Sequence, residues 1–301
     1  MTDSASHACL ADEQVAFRLQ DIDYLHVDGQ TFQATIYQPE GQGPFPAIVD
    51  VHGGAWMRDD VRRNEHALMN ERLAAMGIVV VAIDFRQSAQ HHYPDSVADV
   101  NFAIRWVRAN ATKFNASSQS VGAFGSSSGG HLVLLNSMRP CDHRYAALPM
   151  AGIAQDDARP DYIIIAYPIS DPHARRKYAQ EVGNDAIVNF TDCYFSPAKS
   201  IFDGNPHHIL DSQTADKLPP ALLLQGSPSA DGVILDKNVS PEIQRQFATA
   251  YHRAGGKLQL ELLPGAPHNF VNTAGADLNR ALALMKDFIA QQLRYHERVG
   301  N

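Results

Sequence analysis

The stretch Gly125-Ser126-Ser127-Ser128-Gly129 constrains this chain more than any other. A short apolar run, Ser120 to Phe124, leads into it. Gly130-His131-Leu132-Val133-Leu134-Leu135 follows and reads as the first turns of a helix. Strand, tight turn and helix in that order hold the central residue of the turn in a strained conformation. Small residues two positions before and after it let strand and helix approach closely. Three consecutive serines make the register a real question. Ser127 alone has glycine on both sides at that distance, Gly125 and Gly129; Ser126 would have Phe124 and Ser128 would have Ser126. Ser127 is therefore the residue such a turn presents.

Strand and helix patterns alternate around this turn. Asp21–Val27 and Thr31–Tyr37 alternate in polarity across Asp28-Gly29-Gln30, a hairpin signal. Pro46–Val51 reads as a further strand. Ile78–Ile83 is a continuous apolar run of the kind buried on both faces of a parallel sheet, and Tyr162–Ala166 and Ala221–Gly226 follow it. Leu258–Leu262 reads as the last strand. Helices are expected over Asn64–Met76, Asp95–Asn110, from Ser240-Pro241 to Gly255-Gly256, and over Ala276–Arg298. Residues 11–20 read as one more short helix around Val15, Phe17 and Leu19. The expected fold is α/β: a mostly parallel central sheet with an antiparallel N-terminal hairpin and helices on both faces, in one domain spanning 1–301. The segment 170–218 breaks the alternation. It is long and rich in Asp, His, Asn and Pro, and is expected to be a lid or cap inserted over an active site.

A serine hydroxyl needs a base to take its proton, and the base needs a partner to fix its tautomer. In this architecture the order along the chain is Ser, then Asp or Glu, then His. His268, in Leu263-Pro264-Gly265-Ala266-Pro267-His268-Asn269-Phe270, directly follows the last strand, where open α/β sheets place function. The acid should follow the strand ending at Gln225-Gly226. Asp236 is preferred because it stands just before the helix opened by Ser240 and Pro241; Asp231, beside Gly232, is the alternative. Oxyanion donors are expected from the backbone of Gly53 and Gly54 in His52-Gly53-Gly54-Ala55-Trp56, and from Ser128. His52 is read as a brace for that loop. Trp56 is open between lining a substrate pocket and packing in the core.

Composition sets the exclusions. The chain has 301 residues and a formal net charge of −8, with no basic stripe, so nucleic acid is not an expected partner. No apolar run approaches the roughly 20 residues of a membrane helix, and Met1–Leu10 lacks the features of a secretory leader. Cys9, Cys141 and Cys193 form neither a disulfide framework nor a metal motif, and a reducing cytoplasm suits them. His91-His92 and His207-His208 lack the spacing of a helical metal pair and read as solvated loop residues, so no metal site and no cofactor is expected.

Taken together, His52-Gly53-Gly54-Ala55-Trp56, Gly125-Ser126-Ser127-Ser128-Gly129, Asp236-Lys237-Asn238-Val239 and Pro264-Gly265-Ala266-Pro267-His268 resemble the α/β-hydrolase superfamily. More narrowly, the chain resembles the HGG-type esterase/lipase branch, with hormone-sensitive-lipase-like carboxylesterases and kynurenine formamidases as relatives. The resemblance implies a Ser127-His268-Asp236 triad, with Gly53, Gly54 and Ser128 as oxyanion donors. It implies a serine carboxylesterase acting on a small-molecule ester through an acyl-enzyme, which the cysteine usage would place in the cytoplasm. Two other readings stand beside it: an arylformamidase or amidase using the same triad, and a non-catalytic binding protein on the same fold. An edge strand or the closing helix could also pair with another copy, giving a homo-oligomer.

Overall fold

The computed structural model describes residues 10–11, 14–150, 158–236 and 238–299. The hairpin comes first: β1 (Phe17–Val27) and β2 (Gln30–Pro39) pair antiparallel, with Val27 opposite Gln30. Asp28 and Gly29 turn it with positive φ, 52° and 71°, as a two-residue hairpin loop demands. Then come β3 (Phe45–Val51), α1 (Ala67–Ala75), β4 (Val79–Ile83), α2 (Asp95–Asn110), β5 (Ala116–Ser126) and α3 (Ser127–Met138). After β6 (Ile163–Ala166) the chain forms four helices in succession: α4 (Pro172–Glu181), α5 (Asp185–Tyr194), α6 (Ser200–Asp203) and α7 (Pro206–Asp211). It closes with β7 (Ala221–Ser227), α8 (Pro241–Arg253), β8 (Leu258–Pro264) and α9 (Ala276–Val299).

The eight strands form one sheet in the order β1-β2-β4-β3-β5-β6-β7-β8. β2 meets β4 antiparallel, and every pairing from β4 to β8 is parallel. The inner strands carry apolar side chains on both faces, so alternate residues enter different cores. Val79, Val81, Ile163, Ile165 and Leu223 pack in one; Val80, Ala82, Ile164, Leu222 and Leu224 pack in the other. Burial on both faces is why these runs show no polar alternation.

One expected element is absent. Residues 14–16 are irregular and β1 begins at Phe17, so the short helix expected over 11–20 is not formed there; residues 12 and 13 lie outside the described residues. Phe17 and Leu19 pair with Pro39 and Tyr37 on β2, and their spacing of two is that of a strand. Pairing with β2 satisfies the backbone that a short helix would have left with frayed ends. The segment 170–218 also proves more regular than its composition suggests. Asp171-Pro172 and Asn205-Pro206 are cap-and-proline entries, each with the Asx side chain accepting a backbone N–H of the first turn.

Candidate active site

β5 runs straight into α3, and the bend between them carries Ser127. Its φ is +50°, left-handed for a residue with a side chain, whereas Ser126 is extended at −112°. The glycines around it leave no room for substitution. A Cβ on Gly125 would lie 2.6 Å from the Gly129 carbonyl, and one on Gly129 would lie 2.1 Å from the Val51 carbonyl oxygen. Strand and helix thus cross backbone to backbone, which is the close approach that selected Ser127 as the turn's central serine.

The loop after β8 brings His268 against this bend. Its Nε2 lies 3.1 Å from Ser127 Oγ, and its Nδ1 lies 3.1 Å from both carboxylate oxygens of Asp236. Asp236 is buried, while the His268 side chain keeps 15% of its surface exposed. Gln225 Nε2 donates to Asp236 Oδ2 at 3.0 Å, and the backbone N–H groups of Asn238 and Val239 donate to Oδ1. Burial by itself would raise this carboxyl. The hydrogen bond and charge of His268, with Gln225 and the Asn238 N–H, outweigh it and hold Asp236 below its ordinary value of 3.8. Asp231, the alternative acid, is exposed and accepts a hydrogen bond from Ser229 instead.

Gly53 and Gly54 follow β3 beside the bend; a Cβ on Gly53 would lie 3.3 Å from Ser127 Cβ. Gly54, Ala55 and Trp56 take φ of 112°, 52° and 64°, so the loop coils tightly. Neither these two glycines nor Ser128 spends its N–H on a hydrogen bond among the described residues. Unspent N–H groups beside a serine can hold negative charge developing on a carbonyl oxygen. His52 braces the loop: its Nδ1 lies 2.8 Å from the Gly53 carbonyl oxygen and its ring stacks on Phe85. Burial pushes the His52 imidazole down to about 4.

Trp56 is enclosed rather than facing a cleft. Its ring stacks on Tyr194 of α5 at 4.8 Å, meets Phe195 edge-on, and donates from Nε1 to His131 Nδ1 at 3.1 Å. His131, pushed down to about 4 chiefly by burial, passes the connection to the Gly204 carbonyl. One aromatic cluster therefore ties the 170–218 helices to the glycine loop and to α3. A cavity of about 1020 Å³ is bordered by Asp236, by Tyr178 of α4 and by Val182, the residue that ends α4.

Sequence reasoning missed a second relay. Asp50 on β3 lies 2.7 Å from His66 Nδ1, and His66 Nε2 lies 2.9 Å from Ser126 Oγ; all three side chains are buried. Asn70 Nδ2 completes it with a hydrogen bond to Asp50 at 2.6 Å. No motif marks this set, because its members come from three separate elements. Among the described residues no group of His, Cys, Asp or Glu is arranged to hold a metal. His91, His92, His207 and His208 are not uniformly solvated loop residues: the first three are partly buried, and the last two begin α7. No described helix is long and apolar enough to cross a membrane.

The model of the BD-FAE family matches residues 35–190, half of the chain, including the glycine loop and the serine bend. The chain belongs to the BD-FAE family. Curated relatives include esterase LipC of Mycobacterium tuberculosis, 30% identical over 77% of this chain and 55% of LipC. They also include ethyl acetate hydrolase of Pseudomonas putida, 22% identical over 91% of this chain and 83% of that one. The chain thus spans little more than half of LipC's length. Among solved structures, Thermogutta terrifontis esterase 2 phosphonylated by sarin superposes with a TM-score of 0.72 at 24% identity, covering 91% of this chain and 94% of that one. That likeness, with the sheet order, makes the fold of this BD-FAE member an α/β-hydrolase fold.

Proposed function

We propose that this protein is a serine carboxylesterase in which Ser127 is the nucleophile, His268 the general base and Asp236 the residue that orients His268. The observation that carries the reading is the unbroken line from Asp236 through His268 to Ser127 Oγ, ending beside unspent backbone N–H groups. Ser127 Oγ attacks the ester carbonyl carbon while its proton passes to His268 Nε2. Asp236 stabilises the resulting imidazolium, and the N–H groups of Gly53, Gly54 and Ser128 hold the oxyanion. Collapse breaks the ester C–O bond, and the alcohol leaves with the proton from His268. Water then attacks the acyl-enzyme, gives its proton to His268, and frees the carboxylic acid and the Ser127 hydroxyl. The names of LipC and of the Pseudomonas enzyme support an ester rather than an amide substrate.

The helices of 170–218 are, in this reading, a cap over the cleft. Their aromatic tie to Trp56 and the cavity that Tyr178 and Val182 share with Asp236 support that role. The test is a panel of p-nitrophenyl esters of increasing acyl length beside matched formanilides, with paraoxon labelling followed by intact mass and peptide mapping. Ester turnover lost on stoichiometric labelling of Ser127 is the expected result. Labelling at another residue with the same loss of turnover overturns the assignment.

A further inference from the structure

Arg175, on α4, is a buried cation that makes no ion pair among the described residues. It is 6% exposed, and its Nε and Nη1 are enclosed with no hydrogen-bond partner among the described residues. By contrast, Arg86 is also buried but is held by Asp99 at 2.8 Å. Enclosing a guanidinium without a partner is costly, and the cost is recovered only when an anion arrives. Burial draws Arg175 down to about 10, and the one charge that pulls it back is Asp236.

Its place in the fold is fixed with respect to Ser127. Ile169 donates its N–H to the Ser127 carbonyl at 3.1 Å, and α4 starts three residues later. Ser170 is tied to Gln244, Asp171 caps the helix and receives Asn205 Nδ2, and the Arg175 N–H closes the first turn on the Asp171 carbonyl. Arg175 and Tyr178 are spaced along one face of α4, and Tyr178 and the C-cap residue Val182 border the cavity that reaches Asp236.

We propose that Arg175 is an anion subsite that takes a carboxylate carried by the substrate, so that the preferred esters bear a free carboxylate near the scissile bond. This deepens the esterase reading and rests on it. A guanidinium presents its N–H groups in a fork that matches a carboxylate, which makes arginine the fitting residue for that group. Anionic esters of this kind carry the charge on either side of the bond: hemiesters of short dicarboxylic acids on the acyl side, esters of hydroxy acids on the alcohol side.

The test uses the full chain and follows acid release in a pH-stat. Monomethyl glutarate against methyl butyrate places the charge on the acyl side, and 4-acetoxybenzoate against phenyl acetate places it on the alcohol side. In Arg175→Met the charged-to-neutral ratio of kcat/KM is expected to fall about ten- to hundredfold in one of the two pairs, through KM, with partial recovery in Arg175→Lys. Equal ratios in the parent and both variants overturn the proposal, and if the methionine variant misfolds the lysine variant carries the comparison. Failure of phenyl acetate turnover in the parent would instead strike the esterase reading. Calorimetric titration of glutarate reads the subsite without turnover: binding by the parent that Arg175→Met loses supports it, and equal binding, or none by the parent, overturns it.

Discussion

Ser126 and Ser127 are neighbours, yet each ends its own line of carboxylate, imidazole and hydroxyl. Asp50, His66 and Ser126 join at 2.7 and 2.9 Å in a sealed interior. Asp236, His268 and Ser127 join at 3.1 Å at each step, with His268 still partly exposed. The tighter line has nowhere to put a substrate. Its serine is extended backbone at the end of β5, and the hydrogen bonds serve to pin β3, β5 and the entrance of α1 together. The looser line has the strained serine, the neighbouring N–H groups and a histidine with access to solvent. Possession of the three residue types is therefore a weak criterion, and backbone strain with access to solvent is the stronger one.

The largest effect should separate the two serines. Ser127→Ala is expected to lower kcat about 10⁴- to 10⁶-fold on p-nitrophenyl butyrate. Ser126→Ala is expected to keep the parent's order of magnitude in kcat while losing about 1–3 kcal/mol in urea unfolding, because His66 Nε2 is left buried without its partner. The reverse pattern would make the sealed relay the working one. Next, Asp236→Asn should cost about 10⁴ in kcat by removing the group that fixes the His268 tautomer. Asp231→Asn, exposed and bonded to Ser229 rather than to His268, should stay within about twofold. Equal losses from both aspartates would break the assignment.

The smallest effect concerns acid. The folded Asp236 lies below its ordinary value of 3.8, so the stability it contributes is complete above that value. That contribution is lost as the pH falls from there through the lower folded value. The stability gap between the parent and Asp236→Asn, from urea midpoints, should accordingly narrow between pH 6 and pH 3. A gap that stays constant over that range would mean that the carboxylate is not held by its partners.

Much of this was legible in residue order because the signals are local. The Gly125 and Gly129 pair, the Asp28-Gly29 hairpin turn and the apolar runs of β4, β6 and β7 are each complete within a few residues. The helix expected over 11–20 failed where the partner mattered: Phe17 and Leu19 are strand residues because β2 lies alongside them. Context alone separates Asp236 from Asp231 in the sequence, whereas in the structure Asp236 lies against His268 Nδ1 and Asp231 accepts from Ser229. Trp56 could not be placed from the chain, because the ring that covers it, Tyr194, belongs to a segment far along the sequence.

The sequence by itself determined the α/β alternation, the serine at the bend and the histidine after the last strand. Each rests on steric and periodic rules that act between near neighbours. Only the tertiary structure decided that two relays coexist one residue apart, and that Arg175 is enclosed without an ion pair among the described residues. Burial and distance arise from elements far apart in the chain, and no local pattern encodes which of them will meet.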